Sequence, residues 1–511
     1  MLSLLKNTNP LYYLIFVLLL CISYTFLLSD RLPFAYIEMF DAKNYIEIGK
    51  YFSENILDRN FNPYYTSRLF IPGVVYYTHR FFGINQSFQS IQLVYMVLNL
   101  ITIGISLLYY YKIVKVKNYK NETIILGFCF LFINFFVLKY PSFYPILMDL
   151  FGFTSGIVLY YYYIVKNRIM FATVLIIAMF VFPTTSLIAI SLIISNFIVF
   201  KGKGISFEKH SNKYTIVLFL IWIAFQMYYL NKNYDLFTQV NVKDYAVQSS
   251  PFLIPLTFLL LNIFMFLTIR HFISLFNNFS VNLKGLFTLK TFFSVSILIF
   301  YFIIAKFVTI HYQGTIPLSS GKFLLNLMLQ TFSFPLKFLI SHFIYYGLFV
   351  VFILYFRREF FTYAAQNADS FLKIIVILFS LFFILGTETR QFLQFFPFII
   401  FIFLDSIQKI HFNKYELFGI FAFQLVWSRF WYKINSPEGF LKNSIVDKNL
   451  FEYPSQKYFQ FHGPWLSTTN SIIYGLIFIA TFIIVQRILK SKSLNNNSTT
   501  NNNGLKRNIN D

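Results

Sequence analysis

The sequence predicts an all-α, polytopic transmembrane helix bundle of about 11 to 14 helices, and three observations predict it. Apolar residues fill 57% of the 511 positions and charged residues only 12%, a balance suited to lipid rather than water. The apolar residues fall in runs close to the roughly 20 residues that a helix needs to cross the hydrocarbon core. Lys and Arg collect in the short connections between those runs, which is a topology signal. The formal net charge of +22 would suggest a nucleic-acid partner in a soluble protein. Here the cations are loop residues, so no nucleic-acid partner is expected and membrane lipid is.

The candidate spans, in order, run 11–29, 88–111, 123–140, 146–165, 169–182, 184–200, 214–230, 251–269, 291–310, 336–356, 371–386, 391–408, 415–431 and 467–486. Lys6 precedes the first run, no small-residue cleavage site follows it, and Asp30-Arg31 closes it; it reads as a retained first helix. The long run 169–200 is divided at Pro183-Thr184-Thr185, where proline removes a helix donor. Reading it as two helices and setting the N-terminus inside gathers the basic clusters on one face. These are Lys112, Lys115, Lys117 and Lys120; Lys201, Lys203, Lys209 and Lys213; Arg357 and Arg358; and Arg487, Lys490 and Lys492. The sequence thus reads as one integral membrane domain, 1–490, with a cytoplasmic N-terminus, in a bacterial inner membrane or an endoplasmic reticulum. An Asn-rich cytoplasmic tail, 491–511, is expected to be disordered.

Four longer segments, 30–87, 231–250, 311–335 and 432–466, then face the other side. The first carries Asp30, Glu38, Asp41, Glu47, Glu54 and Asp58. After Asp41 the apolar Tyr45, Ile48, Phe52 and Ile56 recur at helical spacing, which predicts an amphipathic helix on the membrane surface. A second such piece covers 69–82 and is punctuated by Pro72-Gly73.

Ionisable groups at membrane depth are costly and mark candidate function. Asp41 could act as a general base or hold a divalent cation such as Mg or Mn; it could equally cap the helix that follows it. Arg68, after Tyr64-Tyr65-Thr66-Ser67, suits a lipid phosphate. Asp149 lies at the head of the fourth run, where it is either a second acid facing the same cavity or a hydrogen-bonded structural group. Gly386-Thr387-Glu388-Thr389-Arg390-Gln391 opens the span that continues through Pro397. Glu388 and Arg390 could position a phosphate, and Gln391 or Gln394 a sugar, or the pair is a simple interfacial bridge. Weaker candidates are His311 and Lys322 in the third long segment, and His462 with Trp465 before the last run. No two histidines have zinc-ligand spacing. No phosphate-binding glycine loop, nucleophile elbow or kinase signature occurs. Cys21 and Cys129 lie inside apolar runs and read as packing.

The layout resembles the GT-C class of membrane glycosyltransferases, which take sugars from polyprenyl-phosphate carriers. Asp41-x-x-x-Tyr45-Ile46-x-Ile48 is similar to the Asp-x-x-x-Tyr-x-x-Ile pattern of mannosyltransferases of that class. Arg68-Leu69-x-x-Pro72 is similar to an Arg-x-Leu-x-Pro element of related bacterial proteins, and Glu388-x-Arg390 with Pro397 to a late Glu-x-Arg-then-Pro element. Phe40 and Ala42 depart from the Trp and Gly that typically flank this Asp. The resemblance implies sugar transfer on the extracytoplasmic face from a polyprenyl-phosphate donor to a lipid, glycan or protein acceptor. It implies Asp41 and Asp149 as catalytic acids, with Tyr45, Arg68, His311, Lys322, Glu388, Arg390 and Gln391 as substrate contacts. Two rivals stay open: a transporter or flippase of lipid-linked saccharides, for which Lys306 and Lys337 are the within-span charges, and a polysaccharide polymerase or ligase.

Overall fold

A computed structural model describes residues 10–29, 41–200, 211–242, 247–276, 279–314, 320–432 and 466–507. Within these the chain is a helical bundle with only two short antiparallel strand pairs. Ile198–Phe200 pairs with Phe279–Val281, and Asn241–Val242 with Val247–Gln248. Six helices among the described residues are long and apolar enough to cross a membrane: Pro10–Leu27, Phe88–Lys117, Lys213–Lys232, Pro251–Ile273, Leu289–Val308 and Thr468–Lys490. This is the architecture of a multi-pass membrane protein. The final helix continues to Arg507, where composition leads one to expect a disordered tail.

The number of full spans is smaller than the apolar runs suggest, because several runs are broken. Counting two bent pairs as single spans raises six to eight. The run 123–140 bends by 59° between Asn121–Phe132 and Phe135–Phe143, where Asn134 caps the second piece by accepting from the Val137 N–H at 3.0 Å. A 90° bend separates Lys322–Phe332 from Lys337–Tyr346, and Leu336 at the corner has φ 52°. The run 336–356 is then interrupted at Gly347, where φ is 57°. A Cβ there would lie 2.0 Å from Gln424 Oε1, the atom that accepts from the Leu348 N–H. Only glycine satisfies both the backbone and the space. At Pro183 the chain does form two short helices, Arg168–Met179 and Ser186–Phe197. Helices of 10–17 residues reach at most about 25 Å at 1.5 Å per residue, short of the ~30 Å hydrocarbon thickness.

One short helix, Phe396–Ile407, lies at the centre. Every residue from Phe396 to Leu404 is buried, as expected of a helix that is apolar all round. Tyr160 stacks on Phe401 and Tyr346 on Phe396, so the abundant aromatic residues form the packing itself. The two ends of this helix carry the polar groups that organise the molecule, with Glu388, Arg390 and Gln391 before its start and Asp405 near its finish.

The amphipathic pieces of 41–82 form as Ala42–Lys50, Phe52–Leu57 and Phe70–Phe82, with a 3-10 turn at Pro63–Arg68. Tyr45 and Ile48 are buried, as is Phe52. The pieces pack closely because residue 73 is glycine: a Cβ would lie 2.6 Å from the Phe52 ring. Main-chain bonds from Phe61 N–H to Val308 O and from Phe70 N–H to Phe180 O, each 3.0 Å, seat this layer on the ends of two apolar helices.

Candidate functional site

The loop before the central helix is held from behind. Gln330 Oε1 accepts from the Thr387 N–H at 3.0 Å and from the Thr387 hydroxyl at 3.1 Å. His342 Nδ1 meets Thr389 Oγ1 at 2.8 Å, and its Nε2 meets Phe383 O at 2.9 Å. Gln330 and His342 sit on the two arms of the 90° bend, so that corner supports the loop. Arg390 Nε then donates to Glu388 Oε1 at 2.6 Å, and Gln391 Nε2 to Glu388 Oε2 at 2.5 Å. Thr184, beside the Pro183 break, donates to Gln391 O at 2.7 Å and accepts from the Gln394 side chain. The Oε1 atoms of Gln391 and Gln394 are buried without a hydrogen-bond partner among the described residues, and such a group is costly unless a further donor reaches it.

Asp149 is buried at the first turn of Asp149–Ile164 and accepts from the Tyr140 hydroxyl at 3.1 Å. Asn99 shapes the preceding turn by donating to Pro141 O and Pro145 O at 3.3 and 2.9 Å. Gly156, two turns on, lets this helix touch the other loop: a Cβ there would lie 2.3 Å from Gln394 O.

Asp41 occupies the N-cap position of Ala42–Lys50 but makes no side-chain cap bond. Its Oδ1 instead accepts from the Tyr65 hydroxyl at 3.3 Å, and Asn44 Nδ2 donates to that hydroxyl at 2.7 Å. Burial, with the negative charge of Asp41 beside it, holds the Tyr65 phenol above its usual range, so it remains a protonated donor. Arg68 donates to Tyr64 O at 3.3 Å and lies over the Tyr64 ring at 4.7 Å. Among the described residues no carboxylate is within ion-pair distance of Arg68, which leaves most of its five donors available.

These three groups converge. Arg390 lies within electrostatic reach of Glu388, Asp149, Tyr140 and Asp41; Arg68 feels Tyr45, Asp41 and Arg390; Tyr45 feels Arg68, Asp41, Asp149 and Arg390. Asp41, Tyr45, Arg68, Asp149, Glu388, Arg390 and Gln391 therefore form one cluster of two arginines and three carboxylates, drawn from segments far apart in the chain. Burial opposes the Arg390 charge, but Glu388 and Asp149 outweigh it and hold the guanidinium ionised.

Two candidates are not brought in. His311 is exposed, and its Nδ1 sits 2.9 Å from Asp58 O while its N–H bonds Arg59 O, so it pins the first long segment to a neighbouring helix end. Lys322 is exposed near the start of Ser320–Phe332. His462 and Trp465 lie outside the described residues. Sequence reading passed over Tyr140, Tyr345 and His342. Tyr345 lies within reach of Arg390, Asp149 and Glu388, yet one tyrosine among many carries no pattern. Among the described residues no three His, Cys, Asp or Glu side chains gather as metal ligands. No family model, curated protein or solved structure matches this chain.

Proposed function

We propose that the chain is a GT-C-like membrane glycosyltransferase, moving a sugar from a polyprenyl-phosphate donor to a lipid, glycan or protein acceptor on the extracytoplasmic face. The observation that carries this reading is the convergence of Arg68 and Arg390 with Asp41 and Asp149 at one end of the bundle. The donor phosphate is a dispersed anion, and a guanidinium recognises it with paired donors. Arg68, free of carboxylate partners within ion-pair distance among the described residues, is the first contact. Arg390, oriented by Glu388, is the second.

In the proposed inverting step the acceptor oxygen attacks the anomeric carbon and the carbon–oxygen bond to phosphate breaks. The acceptor proton passes to Asp41, whose carboxylate is oriented by the Tyr65 hydroxyl, itself held by Asn44. The leaving phosphate takes the bonding pair and is stabilised by the two arginines, a preorganised electrostatic contribution. Asp149 with Tyr140 holds the opposite wall, and the unsatisfied Gln391 and Gln394 oxygens are acceptors for sugar hydroxyls.

The test is sugar transfer in membranes from radiolabelled polyprenyl-phosphate sugars, comparing the wild type with Asp41→Asn and Arg390→Ala. Loss of transfer in both, at unchanged protein level, is expected. Full transfer in both would remove the proposal.

A further inference from the structure

A second site of different character opens toward the other end of the bundle. A cavity of about 300 Å³ opens between Ile254–Phe276, Leu348–Tyr355, Arg357–Asn367, Ser370–Leu385 and the last helix, at the lower edge of ligand-pocket volumes. Its walls are largely apolar, with Phe264, Phe379, Phe383 and Phe478 among them. The Thr268 and Ser380 hydroxyls that also line it are turned back to the carbonyls of Phe264 and Val376. The charged lining group is Arg357. Beside it His271 lies flat on Phe361, ring centroids 4.7 Å apart, within electrostatic reach of Arg357, Arg270 and Arg358. All three arginines are exposed, as is Glu359 on the helix that carries Arg357 and Arg358. Tyr363, on the same helix as Arg357, bonds Asp405, which puts this mouth at the end of the central helix opposite Arg390.

An apolar cavity open to a bilayer fills with acyl chain, so its selectivity resides in the headgroup, and clustered cations at the membrane surface favour anionic lipid. Hydrocarbon lining and a cationic mouth in one site fit a single molecule that carries both a tail and a negative charge. We propose that this cavity binds one anionic phospholipid, its acyl chain among the phenyl rings and its phosphodiester at Arg270, Arg357 and Arg358. The site is separate from the Arg390 cluster and does not rest on the transferase reading.

The experiment takes the purified full-length chain in neutral detergent with phosphatidylglycerol and phosphatidylcholine of identical acyl chains, and counts retained lipid by native mass spectrometry. Wild type is expected to retain phosphatidylglycerol over phosphatidylcholine by about ten-fold or more, since three interfacial arginines at roughly one kcal/mol each set an upper bound near a hundred-fold. Arg357→Gln combined with Arg358→Gln brings the ratio close to parity. Ser380→Phe, which fills the cavity without touching the mouth, lowers retention of both lipids. Equal retention of the two lipids by the wild type overturns the proposal, as does an unchanged ratio in the double variant. Displacement of the lipid by millimolar inorganic phosphate, with Ser380→Phe without effect, also overturns it, since that marks a plain anion site. Should the double variant not fold, the wild-type ratio and Ser380→Phe still decide.

Discussion

The two ends of the central Phe396–Ile407 helix solve the same problem in opposite ways. At one end Asp405 is saturated: Tyr119 donates to Oδ1 at 2.6 Å, while Lys117 and Tyr363 donate to Oδ2 at 2.7 and 3.2 Å. One acid meets one cation and two hydroxyls, so Asp405 and Lys117 pair with each other. At the other end three carboxylates and two arginines share a region in which Arg68 has no carboxylate within ion-pair distance among the described residues. Two buried amide oxygens there, on Gln391 and Gln394, accept nothing from the described residues. A buried polar network that is complete stabilises a fold, whereas an incomplete one is costly unless something else completes it. The Asp405 end is a lock, and the proposed function reads the Arg390 end as a place for a ligand.

That contrast can be broken most forcefully at Asp41. Asp41→Asn keeps the shape and removes the base, so transfer per folded molecule is expected to fall by about 10²–10⁴-fold with thermal unfolding unchanged. A loss of stability to match the loss of transfer would make Asp41 a structural residue. Gly156→Ala comes next, since its methyl meets a main-chain oxygen at 2.3 Å. About 1–3 kcal/mol of overpacking cost is expected, with a displaced 386–394 loop read as lower donor affinity; an unaltered melting profile contradicts the close contact.

Arg68→Ala should weaken donor use by about ten-fold or more, the size of one charged hydrogen bond. It should appear as a raised KM for the polyprenyl-phosphate donor, with stability intact; a lowered melting temperature at normal KM reverses that assignment. Asp405→Asn sharpens the comparison from the other side, with about 2 kcal/mol of stability lost and transfer per folded molecule kept. Reduced transfer in a fully stable Asp405→Asn protein erases the distinction between the ends. The smallest effect belongs to Tyr65→Phe, which removes the donor to Asp41 and should lower transfer by less than about ten-fold. The check is the initial rate at saturating donor.

Much of the bundle is legible in the sequence because lipid permits few alternatives: long apolar runs become helices. The Pro183 break and the amphipathic pieces after Asp41 follow from spacing and proline chemistry. The breaks at Asn134 and Gly347 were not legible, since each depends on a tertiary fit, such as that of Gln424 against the Leu348 N–H. In the site, Asp41, Arg68 and Arg390 stand out as rare charges in an apolar chain. That the Asp41 side chain turns from the cap to Tyr65, 24 positions away, is a tertiary contact that spacing does not show. His342 and Gln330, which hold the 386–391 loop, carry no signal at all, because their partners come from a different helix. His311 was misleading for the converse reason: a lone histidine in a loop draws notice, and here it fastens two backbones.

The central claim is that residues distant in the chain meet at one end of the bundle, and cross-linking tests it most directly. In a background with the buried Cys21 and Cys129 replaced by alanine, Arg68→Cys with Arg390→Cys is treated with a short bifunctional thiol reagent, beside Arg68→Cys with Asp405→Cys. Rapid cross-linking of the first pair and none of the second is the predicted result. Failure of the first pair to link in folded protein, or equal linking of both, would contradict the convergence on which the functional reading stands.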